Sequence, residues 1–299
     1  MRAQATFTGH RGPVYTLVAG ASPGTFLSGS GDGLVVRWQL DRPDQGEVIV
    51  DVGQAVFALH LLPERGLLLI GTEGGRLHVV DLPTRRERQL LEVHRRGLYA
   101  FAELPAGRMA SSGAEGSLCL WQLNAAGLPL ELLRQLPLSE EKLRGLAASP
   151  NGRWLAVCDG EGPIRLLETE HLNEPHTLPG HEGGALSAAW HPGKPVLLSG
   201  GKDGHLRGWH TGEDFRPLLA LPAHEAGIYA VAFSADGTRL ATAARDKTAK
   251  VWDAGTLDPL VRLDRASGGH THSVNALLWL GDTLVTCSDD KRIVAWVAE

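Results

Sequence analysis

Tyrosine and cysteine are both scarce in this 299-residue chain, three of each. Cys119, Cys158 and Cys287 stand singly in apolar runs, with no CxxC pair. That pattern excludes a disulfide framework and gives no sign of a zinc or dithiol site, leaving reduced, buried thiols as the expectation. No apolar run approaches the roughly 18 residues that span a bilayer, and MRAQATFTGHRG at the N-terminus has no hydrophobic signal region, so a cytoplasmic location away from membranes is expected. Positive charge is not in excess: the formal net charge is -5, and a nucleic-acid role would need a local basic patch. Nor does any stretch read as a linker, since the 37 glycines and 17 prolines are spread along the whole chain. Many short elements joined by turns would produce that distribution.

What the chain does have is a period. HEAGIYAVAFSADGTRLATAARDKTAKVWD from His224 and HEGGALSAAWHPGKPVLLSGGKDGHLRGWH from His181 share length and punctuation, and units from His10, His94 and His270 fit the same frame. Two decayed units fill the gaps, with Val80 and Leu167 where the others have tryptophan. Aligning Trp38, Val80, Trp121, Leu167, Trp209, Trp252 and Trp296 gives spacings of 41 to 46 residues, the range of a structural repeat. Within each unit, short runs rich in Val, Leu, Thr and Trp are broken by Asp-Gly, Asn-Gly and Asp-Lys pairs, which predicts an antiparallel strand meander.

The bracketing His and Trp, the Ser/Thr and Asp around a turn, and the one literal Trp252-Asp253 pair resemble the WD-repeat family of β-propellers over essentially the whole chain. The resemblance implies an all-β fold, a seven-bladed β-propeller of four-stranded antiparallel blades. Blades are expected at about 9–51, 52–92, 93–136, 137–179, 180–222, 223–265 and 266–299, in one domain spanning 1–299. The last unit lacks a fourth strand and the N-terminus has one to spare, so residues 3–8 are expected to complete the last blade and close the ring. In the family, the turn Asp, the His, the hydroxyl and the Trp form a hydrogen-bonded tetrad. Carried onto this chain, complete sets are His10, Ser30, Asp32, Trp38 and His270, Ser288, Asp290, Trp296. Partial sets are His181, Asp203, Trp209 and His224, Asp246, Trp252, with Gly201 and Ala244 at the hydroxyl position. The third unit offers Gly113 and Glu115 in place of Ser and Asp, and the second and fourth are expected to hold by packing alone.

Repetition of Ser, His and Asp around a ring argues for this structural network and against a hydrolase triad, which would be singular. His270 and His272 lack a third ligand, and the Gly-rich segments precede strands and lack a following Lys-Ser/Thr, so no metal or phosphate site is expected. Arg85, Arg86 and Arg88 form a basic hairpin without interleaved aromatics, and no nucleic-acid partner is expected. The position five residues after the loop histidine is more telling. It holds Tyr15, Tyr99 and Tyr229, every tyrosine in the chain, with Phe57, Arg144, Leu186 and Asn275 in the other units. The residues before the turn Asp, among them Glu73, Lys202, Arg245 and Asp289, are brought by family geometry to the same face.

Tyr and Arg are enriched at binding hot spots, and WD-repeat propellers commonly bind peptides or proteins on this face. The reading is therefore a non-enzymatic, monomeric interaction scaffold without a cofactor. Its partner, a peptide or protein, would be anchored by Tyr15, Phe57, Tyr99, Arg144, Lys202, Tyr229 and Arg245. The alternatives are a channel plugged by its own aromatic rings, or an enzyme or small-ligand site in the same mouth, with Arg144 on an anion and Glu73 or Asp289 as base.

Overall fold

A computed structural model of the protein describes residues 1–123, 129–212 and 214–298. The described residues form 28 strands, numbered β1 to β28 in chain order, arranged in seven four-stranded antiparallel sheets. Six sheets are simple meanders of four consecutive strands. Their innermost strands are β2 (Val14–Ala19), β6 (Val56–Leu62), β10 (Leu98–Leu104), β14 (Leu143–Ala148), β18 (Ala185–Trp190) and β22 (Ile228–Phe233). The seventh sheet has the order β1-β28-β27-β26, with β1 spanning Arg2–Phe7, β26 Val274–Leu280, β27 Thr283–Ser288 and β28 Ile293–Val297. Each innermost strand packs on the next, and β26 packs back on β2, closing a ring of seven blades about a central channel. This is the all-β, seven-bladed β-propeller expected from the repeat.

Closure rests on β1 (Arg2–Phe7), which pairs antiparallel with β28, from Arg2 opposite Val297 to Phe7 opposite Ile293. Phe7 then reaches beyond its own blade. Its ring meets Phe26 and Trp38 of the first blade edge-on at 5.1 and 5.6 Å. The N-terminal strand thus satisfies an open sheet edge and adds apolar contact across the seam between the last blade and the first.

Adjacent blades interlock through a repeated small-residue slot. At Gly29, Gly71 and Gly200 in the second strands of their blades, a β-carbon would overlap Val56, Leu98 and Ile228 at the start of the next blade's innermost strand. Ser112, Cys158, Ala243 and Cys287 occupy the same register in the remaining blades. Two of the three cysteines therefore serve as small apolar fillers between sheets, and burial drives their thiols well above the ordinary range. Around these slots run apolar clusters that each join neighbouring sheets, so the core is a ring of inter-blade layers.

Deleting residues 1–8 should broaden the thermal transition and lower stability by at least the about 3 kcal/mol typical of losing one buried Phe. Calorimetry on the truncated chain checks this, and an unchanged melting curve would refute the role given to β1.

Candidate functional site

Five blades carry a polar bridge behind the loops that frame one mouth of the channel. In the first, His10 Nδ1 lies 3.0 Å from Asp32 Oδ2 and Nε2 lies 2.8 Å from Ser28 Oγ, while Trp38 Nε1 donates to Ser28 Oγ at 2.8 Å. A carboxylate can only accept, so Nδ1 carries the ring proton and Nε2 accepts from the hydroxyl. Thr242 serves His224 and Trp252 at 2.7 and 3.0 Å, and Thr286 serves His270 and Trp296 at 2.8 and 3.0 Å. Asp246 and Asp290 lie 2.9 and 3.1 Å from their histidines. In the fifth blade His181 joins Asp203 at 2.9 Å and Ser199 at 2.7 Å, beside the buried Trp209.

The bridging hydroxyl is thus displaced by two residues from the expected one. Ser30 and Ser288 are not the bridge: their hydroxyls donate to the carbonyls of Gly12 and His272 and accept from Asp32 and Asp290 N–H, holding the turn. Gly201 and Ala244 are not gaps in the network, because Ser199 and Thr242 supply the hydroxyl. The physical reason is the strand period of two: residues 28 and 30 share a face, and only the reach of the His and Trp rings selects between them. The third blade is also complete, with Glu115 at 2.6 Å from His94 and Ser111 at 2.9 Å from both His94 and Trp121.

The second and fourth blades hold by more than packing. Fully buried Asp159 accepts from Ser139 Oγ at 2.8 Å and Arg165 Nε at 2.7 Å, and Thr72 Oγ1 donates to Gln54 Oε1 at 3.1 Å. Ser139 stands where other blades have the loop histidine, so a shorter side chain meets an acid two residues nearer.

These bridges set the protonation of the site's frame. Burial alone would raise the Asp32 carboxyl, but N–H groups of Arg11 and Leu34 and the His10 ring hold it below its ordinary value. Asp203, Asp246 and Asp290 are likewise depressed against the effect of burial. Burial lowers His10 and His181, outweighing the adjacent aspartates.

The mouth itself is built by a bulge. In all seven innermost strands the pairing register slips by one residue at the start, and the unpaired residues are Tyr15, Phe57, Tyr99, Arg144, Leu186, Tyr229 and Asn275. A bulged residue is released from the alternation of its strand and can be aimed independently. A backbone hydrogen bond accompanies the bulge in every blade: the residue after the second strand donates to the carbonyl two positions before the bulge. Examples are Gly31 to Pro13 at 2.8 Å, Lys202 to Gly184 at 2.9 Å and Asp289 to Ser273 at 3.1 Å. Glu73 and Arg245 make the same bond, to Ala55 and Gly227, so the pre-turn residues ring the mouth beside the bulged ones.

The seven bulged side chains and Asp289 line one cavity of about 370 Å³. Tyr15 meets Phe57 edge-on at 5.2 Å, Phe57 stacks on Tyr99 at 5.5 Å, and the Arg144 guanidinium lies 4.5 Å above the Tyr99 ring. Tyr229 lines the same cavity outside this stack. Asn275 Nδ2 donates to Val14 O at 2.9 Å and Asp289 Oδ1 at 2.8 Å, tying the last blade to the first at the rim. Burial, then the Asp289 and Glu73 carboxylates, raise the Tyr15 hydroxyl above its usual value. Lys202 and Arg245 are exposed at the mouth but do not line the cavity. No carboxylate pairs with Arg144, Lys202 or Arg245 among the described residues. The basic hairpin on the other face is different: Arg85 pairs with Glu47, and Arg88 lies 3.8 Å from Asp81.

Seven four-stranded blades with repeated His-hydroxyl-Trp bridges define a repeat propeller with a side-chain-lined mouth. The family profile "WD domain, G-beta repeat" matches residues 1–39, 172–210, 215–253 and 262–296, half of the chain, and the protein belongs to the WD-repeat family. Three curated relatives show its reach. The chain is 24% identical to telomerase protein component 1 of Rattus norvegicus over 301 residues, covering 99% of this chain and 10% of that protein. It is 24% identical over 259 residues to WD repeat-containing protein 1 of Xenopus tropicalis, covering 81% and 40%. It is 29% identical over 308 residues to the ribosome biogenesis protein WDR12 homolog of Chlamydomonas reinhardtii, covering 88% and 67%. The chain therefore spans well under half the length of the first two.

Ser28→Ala should cost about 1 to 3 kcal/mol in a urea titration, because it strands the Trp38 N–H and the His10 ring, whereas Ser30→Ala should cost clearly less. Equal losses would contradict the two-residue displacement. The depressed groups also fix a pH dependence. His10 and His181 favour the neutral form in the fold, so their contribution is full above about pH 6.5 and is lost as pH falls through their folded values. The depressed aspartates contribute fully above about pH 3.9 and are lost below it. Urea midpoints should fall from pH 7 to 5 and again below pH 4; a rise on acidification would overturn this assignment.

Proposed function

We propose that the chain is a non-enzymatic interaction module that docks a peptide segment of a partner protein at the channel mouth lined by Tyr15, Phe57, Tyr99, Arg144 and Tyr229, with Lys202 and Arg245 on its rim. The observation that carries this is the state of the tyrosines. All three are half-buried on a 370 Å³ cavity, and none of their hydroxyls has a hydrogen-bond partner among the described residues. Rings plugging a channel would bury their hydroxyls against fixed acceptors, since a buried unpaired hydroxyl costs about 1 to 3 kcal/mol. Half-exposed rings with free hydroxyls, beside an Arg held flat on one of them, form a preorganised receiving surface. Burial of the repeated histidines and their bridging hydroxyls behind the loops supports a structural rather than a catalytic role for them. A cytoplasmic, monomeric protein is the form in which this module is read.

Replacing Tyr99 and Tyr229 together by Ala should reduce partner recovery in affinity purification from the native cell by at least tenfold while leaving the melting temperature within a few degrees. Recovery of the same partners in the same amounts would return the ring to the role of a channel plug.

A further inference from the structure

The charges at the mouth are sorted by sector. Counting the bulged and pre-turn positions of each blade, the acids are Asp289 in the last blade and Glu73 in the second, flanking Tyr15 in the first. The bases are Arg144, Lys202 and Arg245 in the fourth, fifth and sixth blades. The third blade, with Tyr99 and Ala114, carries no charge at these positions. Further out the loops mix signs, with Arg11, Arg95, Glu182 and Glu225 all exposed, so the sorting belongs to the inner annulus.

None of these five groups is ion-paired among the described residues. Asp289 holds only the Asn275 amide, through one oxygen, and Arg144 rests on an aromatic face. Charges elsewhere in the molecule are commonly matched, as in Arg207 with Asp203 at 3.4 Å and Arg292 with Asp290 at 3.0 Å. The two carboxylates also act together at one point, since both raise the Tyr15 hydroxyl after the effect of burial. The corner formed by the edge-to-face Tyr15 and Phe57 rings thus lies in a negative field. Such a corner favours a cation on both counts, the ring quadrupole and the carboxylates.

Resting on the docking reading above, we infer that the mouth selects a charge-ordered protein segment, with a Lys or Arg side chain seated against Tyr15 and Phe57 between Asp289 and Glu73 and acidic residues lying over Arg144, Lys202 and Arg245. Opposed sectors fix the direction in which the segment crosses the mouth, and a segment of one charge sign meets repulsion on one side. A uniformly basic partner such as a nucleic-acid-binding tail is disfavoured by the three cations, and a uniformly acidic one by the two carboxylates.

The test is selection of a random peptide library displayed on phage against the folded full chain. Enriched peptides should carry a basic residue and, separated from it along the chain, at least one acidic residue, and should not be retained by the Tyr99→Ala/Tyr229→Ala variant. A synthetic peptide from that pool should bind at least tenfold more weakly to Lys202→Glu/Arg245→Glu, with affinity recovered when its acidic residues are replaced by Lys. Glu73→Lys with the isosteric Asp289→Asn should instead remove the demand for the basic residue. Circular dichroism melts confirm that each variant is folded. Tyrosine-dependent peptides without charge order overturn the sector assignment and leave the docking face standing. Enriched peptides that bind the tyrosine variant equally well, or no enrichment at all, overturn both.

Discussion

The hydrogen bond from Gly31 N–H to the Pro13 carbonyl has a counterpart in every blade, including the two that lack a loop histidine and have Val80 and Leu167 at the bridging tryptophan position. It closes a one-residue bulge at the head of the innermost strand, and that bulge takes one side chain per blade out of the sheet alternation and turns it to the channel. The mouth depends on this constraint more than on any side-chain bridge. Without the slip, residues 15, 57, 99 and their equivalents would follow their strands' alternation, and no annulus would form.

The His-hydroxyl-Trp bridges support that geometry from behind. Each ties the loop before the innermost strand to the second and third strands, and each leaves buried donors without acceptors if one member is lost, so the sets are kept nearly whole. Four blades use them in full, and the fifth has the His181-Ser199 pair beside Trp209. The fourth uses Asp159 between Ser139 and Arg165, and the second uses Thr72 and Gln54, so the same loop is anchored by different chemistry of shorter reach. Between blades the small-residue slots permit close approach of sheets, and β1 seals the last seam through Phe7. Rigidity of the ring follows from these layers, and with it the fixed placement of the side chains at the mouth.

A rigid annulus of aromatic and charged groups suits recognition of an extended segment, because little ordering of the receptor is needed on binding. The stacked arc of Tyr15, Phe57, Tyr99 and Arg144 supplies contact area, and the sorted charges supply direction. The WD-repeat relatives match this chain at 24 to 29% identity over most of its length.

The sequence by itself determined the repeat, the number of blades, the strand meander, the N-terminal closure and the loop position at which the tyrosines recur, because period, turn chemistry and residue spacing are local properties. It also picked out the histidines, tryptophans and turn acids. It misplaced the bridging hydroxyl at Ser30 and Ser288, since alternation puts both candidate positions on one face and only the three-dimensional reach of two rings separates them. It took Gly113, Gly201 and Ala244 as losses for the same reason. Tertiary structure alone decided that the mouth residues sit on bulges, that Lys202 and Arg245 stand on the rim and not in the cavity, and that acids and bases fall in separate sectors. Those facts depend on which blades lie opposite one another, and that relation exists only once the ring has closed.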